Sequence, residues 1–86
     1  MSEQETSWPL VTVRYWAGAR EAAGRDDEPV RAGSVAALRQ LLEGRGERLA
    51  EVLRRSSLLV DGLVVHGDAP LTAGQTVEVL PPFAGG

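Results

Sequence analysis

The chain of 86 residues has room for one small domain. Hydrophobic residues make up 43% and charged residues 24%, as in an ordinary soluble globular protein. Cysteine is absent, which excludes disulfides, thiolate metal sites and a cysteine nucleophile, and a single histidine excludes a histidine metal cluster. The net charge of −3 with scattered cations lacks the basic stretch that nucleic-acid binding needs.

The N-terminal residues predict neither export nor a membrane anchor. They lack the basic and then apolar order of a signal peptide, and no apolar run approaches the roughly 20 residues of a membrane span. We therefore expect a cytoplasmic protein that binds neither nucleic acid nor membrane. Residues 1–9 are polar and end in Pro9, which indicates a flexible extension.

Hydrophobic period and turn residues predict a series of short elements. In chain order these are a strand at 10–16, a short helix at 17–23, a polar turn at 26–29, a strand at 30–32, a helix from Ser34 to 43, a helix at 47–55, and strands at 58–60, 63–65 and 76–80. In the first strand, Val11, Val13 and Tyr15 alternate with polar residues, so they are expected to face the core.

The principal helix carries the clearest local signals. Ser34 is a suitable N-cap, and Val35, Leu38, Leu41 and Leu42 form one apolar stripe. We expect this stripe to be core. The same is expected of the apolar side of the following helix, Leu49, Val52 and Leu53.

The remaining charged side chains are expected to be solvated. Asp26, Asp27 and Glu28 suit a polar turn better than a metal site, and His66 lies in a polar loop. The arginines of the helical region are expected to cover helix surfaces: Arg45, Arg48, Arg54 and Arg55.

The order of elements predicts an α+β fold, a mixed sheet with one main helix on one face. The Asp61-Gly62 pair predicts a hairpin between the third and fourth strands. The first and last strands are expected to pair centrally and in parallel. A helix that crosses between the second and third strands satisfies the right-handed crossover rule.

The last six residues are the most informative segment. Pro81 and Pro82 fix φ and remove two amide donors, so the chain is expected to leave the sheet stiff and extended. Six extended residues reach about 20 Å. Gly85 and Gly86, the last two residues, are slim enough to pass through a narrow channel. This shape suits delivery of a terminal carboxylate into the active site of another protein.

A family resemblance rests on these residues and several upstream segments. The segments are 11–17, 19–24, 33–35, 59–62, 70–74 and 77–86, ending in Val-Glu-Val-Leu-Pro-Pro-Phe-Ala-Gly-Gly. Over residues 10–86 the chain resembles the ubiquitin-like sulfur-carrier proteins, in particular the small subunits of molybdopterin synthase. The terminal Pro-Pro-x-x-Gly-Gly is the specific part. Asp61 stands where the family often has asparagine, and both residues suit the turn.

The resemblance implies a fold and a chemistry. The fold is a β-grasp domain at 10–80 with strand order 2-1-5-3-4, followed by a protruding tail at 81–86. A ubiquitin-activating-like adenylyltransferase would use ATP to adenylate Gly86, and a sulfur donor would displace AMP to leave a thiocarboxylate. The sulfur would serve the dithiolene of molybdopterin. The carrier itself would bind no cofactor or metal.

The resemblance also implies a partner, the large molybdopterin synthase subunit, which would hold the catalytic residues. The tail would thread into it through Pro81, Pro82, Phe83, Ala84, Gly85 and Gly86. Strand alternation and the β-grasp order place Trp16, Leu59 and Leu80 on one exposed apolar patch, with Phe83 nearby. We expect this patch to be the partner interface.

Three alternatives remain open at this stage. A sulfur carrier for thiamine thiazole or for cysteine biosynthesis would share the tail. A ubiquitin-like modifier would be joined through Gly86 to lysines of target proteins. A noncovalent β-grasp interaction module would be indifferent to removal of the tail.

Overall fold

The computed structural model describes residues 7–82. Its elements are β1 (Leu10–Tyr15), α1 (Ala17–Ala23), β2 (Asp27–Arg31), α2 (Val35–Glu43), α3 (Glu47–Arg55), β3 (Ser57–Val60), β4 (Leu63–Val64) and β5 (Thr76–Leu80). The predicted types and order of elements are confirmed. Strand ends differ by one residue in β1, β3 and β4, and the second strand differs more.

One mixed sheet holds all five strands in the order β2-β1-β5-β3-β4. The central pair, β1 and β5, is parallel, and the other pairs are antiparallel. Val13 lies beside Val77 and Tyr15 beside Val79 in the central pair. The α+β fold and the β-grasp strand order are therefore confirmed.

Local sequence signals set the helix ends. The Ser34 side chain accepts a hydrogen bond from the Ala37 amide at 3.1 Å, as an N-cap should. Gly24 ends α1 with φ 77°, a left-handed conformation that favours glycine, and its amide donates to the Arg20 carbonyl. These two positions confirm the predicted start of α2 and end of α1.

The core lies between one face of the sheet and the helices. From the sheet it takes the inward side chains of alternating positions, Val11, Val13, Tyr15, Val30, Leu58, Val77 and Val79. From the helices it takes Ala19, Val35, Leu38, Leu42, Leu49, Ala50 and Leu53. The helices α2 and α3 pack against each other, and α1 packs against α3. The core thus covers one face of the sheet, and alternation leaves the other side chains pointing outward.

The prediction that Leu41 belongs to the core is wrong. Leu38 and Leu42 are fully buried, whereas Leu41 is 42% exposed. Counted from Val35, Leu38 and Leu42 are at i+3 and i+7 and share a narrow helix face. Leu41 is at i+6, which lies beside that face. Leu41 therefore lies at the edge of the buried stripe that Val35 begins.

The predicted turn at 26–29 is also wrong in part, because β2 already begins at Asp27. In β2, Glu28 and Val30 are buried and alternate with exposed residues. Pro29 is accommodated because β2 is an edge strand, where a missing amide donor costs no ladder hydrogen bond. Sequence alone favoured a turn because acidic residues and proline are rare in strands.

Glu28 is the charged side chain that is buried within residues 7–82, at 6% exposure. Its carboxylate accepts a hydrogen bond from the Tyr15 hydroxyl at 2.6 Å and pairs with the guanidinium of Arg45, with Arg25 at 3.6 Å. Arg45 follows α2, so the cluster ties the α2–α3 connection to the sheet. The expectation that Glu28 and Arg45 are simply solvated is wrong.

The Glu28 pKa reflects two opposing effects. Burial acts to raise it, and the hydrogen bonds from Arg45 and Tyr15 outweigh burial, so the pKa lies below its ordinary value. Burial and the hydrogen bond to Glu28 also raise the pKa of Tyr15. At neutral pH the cluster therefore holds an ionised Glu28 and a protonated Tyr15.

The β3–β4 hairpin turns at Asp61 and Gly62, with φ of 48° and 86°. Two successive positive φ values are typical of a type I′ turn, which the Asp-Gly pair predicted. The Asp61 carboxylate also accepts hydrogen bonds from the Thr76 amide at 3.0 Å and the Gln75 side chain at 3.2 Å. The turn is thereby joined to the start of β5.

Part of the expected N-terminal extension contacts the domain. The Pro9 carbonyl accepts a hydrogen bond from the Ala32 amide, and the Trp8 carbonyl accepts one from the Arg31 side chain, both at 3.0 Å. Residues 1–6 lie outside the described range, so the flexibility of 1–9 stays a prediction.

We predict that Leu38→Ala lowers the free energy of unfolding by about 3 kcal/mol, because it leaves a cavity in the core. The matched variant Leu41→Ala should cost less than about 1 kcal/mol, because that side chain is already partly in water. Urea denaturation followed by circular dichroism measures both. Equal losses would contradict the burial difference.

We predict that Glu28→Gln lowers the free energy of unfolding at neutral pH by about 1–3 kcal/mol, because it weakens charge-assisted hydrogen bonds. The Glu28 pKa is lowered on folding, so its contribution is present above the ordinary value of 4.5 and is lost as pH falls through the folded value. Denaturation at several pH values should give a flatter profile for Glu28→Gln. Asp27→Asn, at an exposed position of the same strand, is the control.

Candidate functional site

The chain leaves the sheet from its middle. β5 lies between β1 and β3 and ends at Leu80, followed by a half-buried Pro81 and an exposed Pro82. Phe83, Ala84, Gly85 and Gly86 lie outside the described residues. The predicted roles of these four residues therefore stay predictions, and the site described below is the outward face of the sheet around the end of β5.

Strand register brings the predicted patch residues together. The Trp16 amide donates to the Val79 carbonyl at 3.2 Å, which extends the β1–β5 pairing and sets Trp16 beside Leu80. Leu59 of β3 lies opposite Glu78 of β5. Since Glu78 and Leu80 are two residues apart on one strand, they share its outward face with Leu59.

A fourth apolar residue joins this face from the edge of the sheet. Val64 of β4 pairs with Leu59 and is 48% exposed. Trp16 is 40% exposed, whereas Leu59 and Leu80 are half-buried. We call Trp16, Leu59, Val64, Leu80 and Glu78 the sheet-face patch.

Glu78 makes this patch different from the purely apolar surface that was predicted. The Trp16 indole Nε1 donates a hydrogen bond to the Glu78 Oε2 at 2.9 Å, so the carboxylate holds the indole against the sheet. Sequence alternation already places Glu78 outward, opposite in direction to Val77 and Val79. Its position between Trp16 and Leu59 depends on pairings between distant segments, which no local signal reveals.

The other half of the outward face is charged. Arg14 of β1 lies opposite Glu78 of β5 on one side and opposite Asp27 of β2 on the other. Arg31 of β2 lies opposite Leu10 of β1. Beside Trp16, a depression of about 270 Å³ is lined by both arginines and aspartates: Arg14, Arg20, Asp26 and Asp27, with Tyr15. Arg20 and Asp26 form an ion pair at 3.7 Å. Arg14 and Asp27 thus lie on the half of the face formed by β1 and β2, whereas Leu59, Val64 and Leu80 lie on the half formed by β5, β3 and β4.

Other candidate groups are dispersed. Across residues 7–82, no three or more histidine, aspartate or glutamate side chains cluster in a way that could hold a metal ion. His66 is exposed in its loop. In the same range, no helix has both the length and the apolar character to cross a membrane.

The strand order and the central strand that leads into the tail define a ubiquitin-like β-grasp domain. The ThiS family model matches residues 13–86, so the chain belongs to the ThiS family. It is 37% identical over 81 residues to the molybdopterin synthase sulfur carrier subunit of Escherichia coli K12. That match covers 90% of this chain and the whole of the relative.

Solved structures share the fold. A chain of the complex of subunits 1 and 2 of molybdopterin-converting factor from Helicobacter pylori matches 90% of this chain and 99% of its own length, with TM-score 0.72 and 24% identity. Small archaeal modifier protein 1 from Methanosarcina acetivorans matches 91% of this chain and 97% of its own length, with TM-score 0.80 and 22% identity. At these identities the likeness supports the fold alone.

Proposed function

We propose that this protein is a sulfur carrier for molybdenum cofactor biosynthesis, with Gly86 as the carrying residue. The observation that carries the proposal is the end-to-end match to a sulfur carrier subunit at 37% identity, within a family match that runs through Gly86. The chain is a carrier subunit and not a catalyst. Its location in the cytoplasm belongs to the same proposal.

The proposed chemistry takes place at the carboxylate of Gly86. A carboxylate is a poor electrophile until one oxygen becomes part of a good leaving group. An adenylyltransferase uses ATP to attach AMP and releases pyrophosphate; a sulfur donor then displaces AMP, leaving a thiocarboxylate. The thiocarboxylate is a soft nucleophile: its sulfur bonds to the pterin precursor in which the dithiolene forms, and water then cleaves the bond between that sulfur and the Gly86 carbonyl carbon, which returns Gly86 as a carboxylate. The adenylyltransferase and the sulfur donor are separate proteins.

The proposed partner at the transfer step is the large molybdopterin synthase subunit, which holds the catalytic residues. The sheet-face patch supports this, because the partly exposed side chains of Trp16 and Leu59 lie on either side of the strand that leads into the tail. Docking through Trp16, Leu59 and Leu80, with Phe83, would leave residues 81–86 to reach about 20 Å into the partner.

We predict that the protein, incubated with ATP, the adenylyltransferase and a sulfur donor, exchanges one oxygen of Gly86 for sulfur. Intact-protein mass spectrometry measures the exchange. A variant without Gly86 should show no exchange, and a tag fused after Gly86 should abolish it. An unchanged mass with partners that modify a known carrier would refute the proposal. Attachment of Gly86 to a lysine of another protein would indicate a modifier instead.

We predict that Trp16→Glu and Leu80→Glu each weaken binding to the large subunit by about 30-fold or more, because a charge enters the centre of an apolar contact. Leu41→Glu is the matched control, since Leu41 is 42% exposed and Trp16 40%. Isothermal titration calorimetry measures affinity, and circular dichroism checks that each variant is folded. Normal binding by folded Trp16→Glu and Leu80→Glu would exclude the patch as the interface.

A further inference from the structure

Among the residues that the structure describes, no cationic side chain forms an ion pair with Glu78, the acidic residue of the sheet-face patch. Glu78 lies in register between Arg14 on β1 and Leu59 on β3. Within residues 7–82, the ion pairs formed at 4 Å or less use Glu28, Asp26, Glu47 and Glu51 as their acids, and Glu78 takes part in none of them. In the described part of the chain, the side chain that donates a hydrogen bond to Glu78 is the neutral indole of Trp16.

Water stabilises the Glu78 charge only while this face is exposed. A partner that covers Trp16, Leu59 and Leu80 also covers Glu78, because Glu78 lies opposite Leu59, shares the outward face of β5 with Leu80 and accepts a hydrogen bond from Trp16. Removing a carboxylate from water is costly unless an opposite charge and further hydrogen bonds replace the water. One neutral indole N–H does not replace it.

We propose that Glu78 is a specificity-determining residue of the docking face, and that the large subunit places an arginine or lysine side chain against it. The inference rests on the proposed function, because it takes the large subunit as the occupant. The indole fixes one carboxylate oxygen of Glu78, so the other oxygen is available to a partner donor. A partner with an apolar or acidic residue at this point is rejected, because the Glu78 charge would be buried without compensation.

The hydrogen bond to Glu78 also sets the orientation of the Trp16 side chain. Its Nε1–H donates to Glu78, so the position of the indole and that of the charge are set together. The apolar surroundings also lower the local dielectric on docking, which strengthens a correct ion pair and penalises a wrong neighbour. The apolar side chains thus supply contact area, and Glu78 selects the partner.

The test compares Glu78→Gln with the unchanged protein in binding to the large subunit. Glutamine keeps an oxygen that can accept from Trp16 but removes the charge. Affinity at low salt should fall at least about tenfold, and the dependence of affinity on salt should become weaker. Glu51→Gln is the control, since it removes one exposed acid from α3 and should leave affinity unchanged.

A second variant separates a partner cation from a cation of the same chain. If Arg14 turned to neutralise Glu78 on docking, Glu78→Gln would lose its effect in an Arg14→Gln background. We expect the effect to persist there. Loss of the effect, or an affinity for Glu78→Gln equal to that of the unchanged protein, would overturn the inference.

The proposed function is tested by a different measurement, the exchange of oxygen for sulfur at Gly86. Sulfur exchange at Gly86 without any effect of Glu78→Gln refutes only the role of Glu78. An unchanged protein that neither acquires sulfur nor binds the large subunit refutes both. A charge swap provides a further test. Glu78→Lys should weaken binding to the large subunit, and replacing one basic residue of the large subunit with an acidic one should restore it.

Discussion

The parallel pairing of β1 with β5 is the constraint on which the rest of this structure depends. It places the first and last strands at the centre of the sheet, so every element between them must pass around that pair. The helices fill one face and supply the core, and alternation along the same strands leaves the opposite face outward. The pairing also brings Trp16 beside Leu80, at the point where the tail begins.

The buried Glu28 is a second constraint, with a different physical character. An ionised carboxylate in a small core requires partners, and Tyr15, Arg45 and Arg25 provide them from separate parts of the chain. The cluster lies on the helix-covered side of the sheet, whereas Glu78 lies on the outward side. One acid is thus compensated within the domain, and the other is left for a partner to compensate.

The separation of roles between the folded domain and the C-terminal residues explains how so small a chain can serve in covalent chemistry. It has no cysteine and no lysine. In the proposed function the reactive group is the carboxylate of Gly86, and the partner proteins bind the folded domain. The tail follows β5, which also carries Glu78 and Leu80 of the sheet-face patch, so a partner that docks on the face would receive the tail at a fixed starting point.

The sequence by itself determined the features that depend on neighbouring residues: the Ser34 cap, the Gly24 stop, the Asp61-Gly62 turn and the alternation in β1 and β5. The last six residues by themselves predicted an extended tail, and the family resemblance added the full strand order and the sulfur chemistry. Only the tertiary structure decided that Glu28 is buried, that Leu41 is exposed and that Glu78 lies between Trp16 and Leu59. Those outcomes depend on contacts between residues far apart in the chain, and local propensity carries no information about which distant side chain will supply the partner.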